Sequence, residues 1–174
     1  MKRSRLVLVG ALVCSLGLSL SCGDSPTAVT PKPQGDLIGS LLQATGLLKC
    51  SPLPYDSTSA TINGSGGWIS VGPHTLYIPP GALSQPTTIT AVLSGAGQKV
   101  NGVQFRPEGL EFNKTAYLTM SYANCNLLGS LAPKHIAYTT DAFQILYYVL
   151  SLDNLFARKV TGQVHHFSQY AVAW

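Results

Sequence analysis

From about residue 58 to residue 174 the sequence consists of short runs of alternating apolar and polar residues, separated by Gly, Pro and Asn. Alternation with a period of two places every second side chain on one face of a strand, and the interruptions end each strand. No helical period or repeat competes with this pattern. The sequence therefore predicts an all-β fold, a β-sandwich of short antiparallel strands in one domain of about 115 residues.

The clearest pair of strands is WISV and TLYI, which flank GPH as a hairpin. The IPPGAL that follows should end the second strand, because Pro79 cannot donate a ladder hydrogen bond and Pro80-Gly81 suits a type II turn. Further strands are predicted in TTITAVLSG, AYLTMSY, IAYTT, QILYYVLSL, FARKVTG and HFSQYAVAW. Alternation in the hairpin and in the first two of these strands predicts these buried side chains: Ile69, Val71, Leu76, Ile78, Ile89, Ala91, Leu93, Leu118, Met120 and Tyr122.

The first 21 residues have the features of a secretory signal peptide. MKRSR is a short cationic region, and the apolar run that follows it is too short to span a bilayer comfortably. Cys22 follows the small Ser21 and precedes a polar stretch, an arrangement that resembles a bacterial lipobox, in which the cysteine is acylated. We expect Cys22 to be the lipidated N-terminus of the mature chain. Ordinary signal cleavage, with Cys22 an incidental thiol, is the alternative.

Two segments precede the predicted sandwich. Residues 22–35 are rich in Pro, Ser and Thr and should form a flexible tether. In residues 36–57 the leucines of DLIGSLLQATGLLKC recur at helix-like offsets behind Asp36, a possible N-cap, which predicts a short helix and a lead-in segment. The alternative is a loop whose leucines cover one end of the domain. The sandwich domain then spans residues 58–174.

The cysteines of the mature chain indicate a disulfide. Cys14 lies within the predicted signal peptide, and if Cys22 carries lipid, Cys50 and Cys125 remain as a pair. In an oxidising compartment a disulfide that closes a long loop is the natural use of such a pair. Two separate buried thiols are the alternative.

Charge and motifs narrow the range of partners. Three of the eleven Lys and Arg residues lie in the signal peptide, which leaves eight basic against seven acidic residues and no basic cluster, so we expect no nucleic-acid partner. We expect no metal and no cofactor, because there is no phosphate-binding loop or GxSxG elbow and the histidines lack a metal-ligand spacing. These histidines are His74, His135, His165 and His166.

The expected partners are therefore the membrane, through the N-terminal lipid, and an unidentified protein or cell-surface glycan. Gly23 stands where some inner-membrane lipoproteins have a retaining aspartate. We expect a chain secreted across the cytoplasmic membrane and anchored at the outer membrane or cell surface.

Three stretches together resemble the ZU-five family of β-sandwich domains, named for zonula occludens scaffolds and netrin receptors and found also in bacterial surface lipoproteins. These stretches are GGWISVGPHTLYIPPGAL, VQFRPEGLEFNKTAYLTMSY and VTGQVHHFSQYAV, and they occur in the family's order from about Asn63 to Ala173. The resemblance implies a sandwich with a structural or protein-interaction role and no turnover.

In the death-domain relatives of this family, His-Phe-Ser marks a peptide bond that the protein cuts in itself. Carried onto this chain, the bond lies between Phe167 and Ser168. The Ser168 hydroxyl would attack the Phe167 carbonyl in an N-to-O acyl shift, His166 would act as the base, and water would open the ester. Side chains two apart on a regular strand are about 7 Å apart, so the reaction needs a local kink, and it also needs donors for the oxyanion.

The alternative is a purely structural last strand, in which His166 is a satisfied core or rim histidine. A cut between Phe167 and Ser168 would free only SQYAVAW, a last strand that we expect to have few ladder bonds to hold it.

Several aromatic residues are candidates for a carbohydrate platform. Aromatic residues that alternate along strands also serve as core and cross-strand packing, which is the alternative. The candidates are Trp68, Tyr77, Tyr117, Tyr138, Tyr147 and Tyr148.

Overall fold

The computed structural model describes residues 46–127 and 131–174, and the predicted β-sandwich is confirmed: these residues form two antiparallel sheets and no helix. Within these two ranges no helix is long and apolar enough to cross a membrane. The strands are β1 (Ser57–Ile62), β2 (Gly67–Val71), β3 (His74–Ile78), β4 (Thr87–Leu93), β5 (Gly102–Arg106), β6 (Glu111–Ser121), β7 (His135–Thr139), β8 (Ile145–Tyr148), β9 (Ser151–Asn154), β10 (Lys159–His166) and β11 (Gln169–Ala173).

The strand order of the six-stranded sheet is β1-β4-β5-β11-β7-β8, and that of the five-stranded sheet is β2-β3-β6-β10-β9. The predicted hairpin is confirmed as β2 and β3, which pair from Gly67 opposite Ile78 to Val71 opposite His74. Gly72 forms its turn with a φ of +51°, a conformation that favours glycine. Gly81 has a φ of +80° and Ala82 N–H donates to Pro79 O at 3.1 Å, so the expected turn also follows β3.

The core lies between the sheets, and alternation places it there. The ten side chains predicted to be buried are all buried. The largest buried side chains include Tyr122, Tyr170, Phe105 and Phe167. Burying one large apolar side chain contributes about 1.5 to 3 kcal/mol, so this shared layer is the main source of the domain's stability.

A second apolar cluster, the covering cluster, lies on the outer side of β7 and β11. It consists of Leu47, Val100, Ala137, Phe143, Ala171 and Ala173. Leu47 reaches it because Leu47 forms a bridge with Ala173 and Leu48 N–H donates to Val172 O at 3.1 Å. The chain ahead of β1, which we call the covering segment, therefore pairs with the end of β11, so that its Leu47 side chain joins the covering cluster and its Leu48 side chain enters the core between the sheets.

The disulfide between Cys50 and Cys125 is confirmed, with an S–S distance of 2.02 Å and a sequence separation of 75. It joins the covering segment to the chain just after β6. The predicted signal peptide, Cys22, the tether and residues 36–45 of the predicted helix lie outside the described residues. The described part of the lead-in segment begins with a turn at Gly46, and Leu47 and Cys50 form isolated β-bridges.

Three strand predictions were wrong in their bounds. FARKVTG was predicted as a strand, yet residues 156–158 lie in a turn and β10 begins at Lys159. QILYYVLSL was predicted as one strand, yet the chain crosses between the sheets after Tyr148, so β8 and β9 are edge strands of different sheets. Side chains of β9 then close this side of the sandwich: Asp153 Oδ2 accepts from Lys134 N–H at 2.8 Å and Ser151 Oγ accepts from Ile136 N–H at 3.1 Å. HFSQYAVAW is also divided, because β10 ends at His166 and β11 begins at Gln169.

Candidate functional site

The His-Phe-Ser stretch forms the connection between the two sheets. His166 is the last residue of β10 in the five-stranded sheet, and β11 of the six-stranded sheet begins directly after Ser168. The pairing of β10 with β6 shifts register between Val164 and His166. A bulge of this kind bends the strand and re-aims its side chains, so the chain has an irregularity where cleavage chemistry would need one.

Both backbone groups of Phe167 are held by the turn that joins β5 to β6. Phe167 N–H donates to Leu110 O at 2.8 Å, and Gly109 N–H donates to Phe167 O at 3.0 Å. Gly109 has a φ of +75°, a conformation that a glycine adopts without a steric penalty. The carbonyl of the candidate scissile bond therefore already accepts a hydrogen bond from a backbone N–H.

His166 contacts the same carbonyl. Its Nδ1 lies 3.4 Å from Phe167 O, and its Nε2 lies 3.0 Å from the Tyr147 hydroxyl. Partial burial raises the pKa of Tyr147, which keeps its phenol protonated and able to donate to Nε2. Because a carbonyl only accepts, a hydrogen bond from His166 to Phe167 O requires the proton on Nδ1.

Neighbouring tyrosines hold both the imidazole and the backbone of His166 in place. The Tyr138 ring meets His166 edge-on at a centroid distance of 5.2 Å, and the Tyr170 hydroxyl donates to the His166 carbonyl at 2.7 Å. Burial also raises the pKa of Tyr170, so its hydroxyl stays protonated. His166 is thus held by three tyrosines at the junction of the two sheets.

Ser168 is only 4% exposed, and its carbonyl accepts from Phe105 N–H at 3.0 Å. Among the hydrogen bonds of residues 46–127 and 131–174, none joins the Ser168 hydroxyl to His166. The expected pair of nucleophile and base is therefore not formed in this structure. His166 faces the carbonyl that would be attacked rather than the hydroxyl that would attack it.

The expectation that SQYAVAW has few ladder bonds was wrong. β11 lies between β5 and β7 and pairs with both, from Gln169 to Ala171 on one side and from Gln169 to Ala173 on the other. All of its residues are buried. A break before Ser168 would therefore leave the last strand bound in the fold.

Two groups at this site were not predicted from the sequence, the Gly109 N–H and the Tyr147 hydroxyl. Gly109 carries a detectable signal, since a glycine in Pro-Glu-Gly-Leu between two strands indicates a turn with positive φ. Tyr147 carries none, because it is 19 residues from His166 and reaches it only through the pairing of the strands.

The six aromatic candidates for a carbohydrate platform lie in three separate places. Tyr138 and Tyr147 lie at the His166 site, and Tyr148 lies beside His135 at a ring distance of 5.9 Å. Trp68, Tyr77 and Tyr117 stand directly opposite one another on the neighbouring strands β2, β3 and β6. These three form one row across the five-stranded sheet.

The outer side of the five-stranded sheet carries this aromatic row and a second row of hydroxyls beside it. We call these residues together the open face. Strand register extends the aromatic row through Gln163 to Leu150, and it aligns four hydroxyl residues with Leu152. The two rows are Trp68, Tyr77, Tyr117, Gln163 and Leu150, and Ser70, Thr75, Thr119, Thr161 and Leu152.

Large apolar side chains of the open face stand in solvent. Trp68 is 67% exposed, Leu150 73% and Leu152 79%. Between Tyr117 and the two leucines lies a shallow depression of about 370 Å³, which Thr161 and Gln163 also line. An exposed apolar surface with polar groups among it is typical of a site that receives a partner.

Within the described ranges, no three His, Cys, Asp or Glu side chains lie close enough together to hold a metal ion. No protein-family model matches the chain. No curated protein matches it either.

Proposed function

We propose that the chain is a lipid-anchored extracytoplasmic β-sandwich module of the ZU-five type that binds a partner at the cell surface and catalyses no turnover. The signal-like residues 1–21 and the lipobox-like Cys22 support export and anchoring. The Cys50–Cys125 disulfide agrees with an oxidising compartment.

The three stretches that resemble the ZU-five family contact one another, which supports a structural use for them. Asn113 N–H donates to Ala82 O at 2.9 Å, so the second stretch is joined to the first. The Phe167 ring of the third stretch packs on Phe105 and Phe112 of the second, at centroid distances of 5.3 and 5.0 Å. Aromatic pairs at these distances stabilise a core beyond their area, which gives a fold-based reason for the motifs.

The open face is the observation that carries the proposed binding role. A soluble domain gains stability by covering apolar surface, yet Trp68, Leu150 and Leu152 remain largely exposed on one side of one sheet. A partner that covers this face would remove that apolar surface from water.

Site-specific photo-crosslinking in living cells tests this role. A crosslinking amino acid is placed at Leu152 on the open face and, as the matched control, at Ser59 on the exposed side of β1. We expect a discrete adduct, or protection of the probe from hydrolysis by solvent, at Leu152 and not at Ser59. Identical behaviour at the two positions would contradict the role.

The anchor has its own test. Cys22→Ala should move the chain from the membrane fraction to the soluble fraction and abolish labelling with a fatty-acid analogue. An unlabelled wild-type chain would contradict lipidation and leave the binding role standing.

A second candidate function is a single self-cleavage between Phe167 and Ser168. The observation that favours it is that Phe167 O faces both Gly109 N–H and His166 Nδ1, at 3.0 and 3.4 Å. Two donors aimed at a carbonyl oxygen stabilise the negative charge that develops there during attack. In this candidate His166 polarises the carbonyl, and Tyr147 holds it in the donating tautomer.

The reaction needs only the chain itself and one water molecule. Ser168 Oγ would form a bond to the Phe167 carbonyl carbon, the carbon–nitrogen bond would break, and the Ser168 nitrogen would take up the proton as a free amine. Water would then hydrolyse the ester, which leaves a carboxylate on Phe167 and restores the serine hydroxyl.

Mass spectrometry under denaturing conditions tests this candidate, since the paired β11 would stay bound in the native protein. Cleavage predicts a chain that ends at Phe167 together with the seven-residue peptide. Ser168→Ala should abolish both products, and Tyr147→Phe should slow their appearance. A single intact mass after prolonged incubation would eliminate self-cleavage without affecting the binding role.

A further inference from the structure

We infer that the open face binds a neutral polysaccharide chain, an inference that rests on the proposed role of this face as the binding surface. The ligand would lie across the strands, along the aromatic row and the adjacent hydroxyl row. Four properties of the face support this assignment.

The first property is the alignment of the aromatic rings. Trp68, Tyr77 and Tyr117 occupy three neighbouring strands in direct register, and strands are spaced about 4.8 Å apart. The Trp68 and Tyr77 rings lie 4.2 Å apart between centroids, with an interplanar angle of 33°. Aromatic faces carry partial negative charge, which attracts the polarised C–H groups on the flat side of a sugar ring. Rings this close cover part of each other's faces, so the row offers two stacking surfaces, the free face of Trp68 and the 40% exposed ring of Tyr117, about 10 Å apart across the strands.

The second property is the row of hydroxyls beside the rings. Thr119 and Thr161 share a hydrogen bond of 2.9 Å between their hydroxyls, and Ser70 and Thr75 share one of 3.0 Å. In each pair one hydroxyl donates and the other keeps acceptor capacity towards solvent. Gln163 adds an amide at the end of the aromatic row. Sugar hydroxyls need such groups, since each donates and accepts.

The third property is the absence of charged residues within the two rows. The ten residues of the open face include no Asp, Glu, Lys, Arg or His. The exposed Lys159 stands on the same side of β10 as Thr161, beside the hydroxyl row, and lines a depression with Thr119, Thr161 and Leu152. An anionic polymer would meet this one cation beside the hydroxyl row and none within either row, whereas a neutral polymer leaves no charge of the two rows unpaired.

The fourth property separates a glycan from a protein partner. Protein interfaces concentrate their binding energy in aromatic and Arg side chains, and Ser and Thr are under-represented among the residues that matter. Here four of the ten residues are Ser or Thr, and they form an ordered row rather than a rim. Hydroxyls at this density match a ligand rich in hydroxyls.

Retention on immobilised polysaccharides tests the inference with the full chain purified in detergent. The probes are a neutral glucan, a neutral mannan and, for comparison, a polyuronate. We expect retention on at least one neutral polymer and none on the polyuronate. Trp68→Ala and Tyr117→Ala should each weaken retention about tenfold or more, because each removes a stacking ring. Tyr55→Ala is the matched control, since Tyr55 is 73% exposed, close to the 67% of Trp68, and lies outside both rows.

A second pair of variants tests the hydroxyl row. Thr161→Ala removes a hydroxyl beside the aromatic row, and Thr90→Ala removes one from a similar hydroxyl pair, formed with Ser59 at 2.7 Å on β1 and β4, where none of the six candidate aromatics lies. We expect weaker retention for Thr161→Ala alone. Equal effects of the two variants, or of Trp68→Ala and Tyr55→Ala, would overturn the inference.

The outcomes separate this inference from the proposed function. If no neutral polymer retains the chain but the crosslinker at Leu152 captures a discrete protein in cells, the glycan is wrong and the binding role stands. If no polymer retains the chain and Leu152 behaves like Ser59, both are wrong.

Discussion

The outer sides of the two sheets differ in what lies on them. Over β7 and β11 the covering cluster places Leu47 and Phe143 against small side chains, among them Ala171 and Ala173. Over the five-stranded sheet, within residues 46–127 and 131–174, no comparable cluster covers the open face, and Trp68 and Leu152 stand in solvent.

The side chains of the strands explain this difference. Alanines leave room for the Leu47 and Phe143 side chains to pack closely against the sheet, which excludes water there. Large rings and hydrogen-bonded hydroxyls fill the open face themselves and present both apolar and polar groups to solvent. The outer side of β7 and β11 therefore contributes to stability, whereas the open face stays exposed.

Removal of the disulfide should lower stability the most, because the disulfide fixes the covering segment. For a sequence separation of 75 between Cys50 and Cys125, loop-closure entropy predicts that the double variant to Ala lowers the free energy of unfolding by about 4 kcal/mol. Urea unfolding of oxidised wild type and of the variant measures the difference. A loss below about 1 kcal/mol would show that the cover stays in place without the bridge.

Acid should destabilise the core beneath the open face by a similar amount. His74 is buried, its Nδ1 accepts from Ser121 N–H at 3.1 Å, and burial lowers its pKa to about 4. Between pH 6.5 and 4 the unfolded chain binds a proton that the folded chain excludes, so stability falls as the pH falls. The expected loss is about 3 kcal/mol over this window.

Urea unfolding at pH 7, 6, 5 and 4 measures this loss, and His74→Gln is the control. The variant should show a flatter dependence on pH than the wild type over the same window. Parallel curves for the two proteins would assign the acid sensitivity to other groups.

Truncation of a side chain in the covering cluster should give the next largest loss of stability. Leu47→Ala deletes a fully buried side chain from the covering cluster and should cost about 2 to 3 kcal/mol. Chemical denaturation monitored by far-UV circular dichroism reports the change. A neutral result would mean that the cover contributes nothing to stability.

Truncation of the open face should give the smallest effect. Leu152→Ala removes a side chain that is 79% exposed, so its stability should stay within about 0.5 kcal/mol of wild type. Measured beside Leu47→Ala, this variant sharpens the contrast between the two outer sides. A loss comparable to that of Leu47→Ala would show that the open face is part of the core.

Much of the fold was predictable because alternation is a local signal. Leu76 and Leu118, for example, lie two residues from their next buried neighbours, and this spacing is visible in the sequence. The division of QILYYVLSL between two sheets was not predictable. Its apolar run continues through Val149 and Leu150, and only the other strands determine where the chain crosses.

The candidate sites were predictable only as lists of residues. Trp68, Tyr77 and Tyr117 were named together with three other aromatic residues, and strand register alone separates the two groups. The orientation of His166 towards the Phe167 carbonyl depends on Tyr147, which belongs to another sheet. Contacts between distant strands leave no local pattern from which such an orientation could be predicted.

Hydroxyl-radical footprinting on intact cells and on the purified chain tests the central claim most directly, because it requires no knowledge of the ligand. We predict that Trp68, Tyr117 and Leu152 are less oxidised in cells than in the purified protein, while Tyr55 is oxidised equally in both. Equal oxidation of the open-face residues in the two samples would contradict the claim that this face receives a partner.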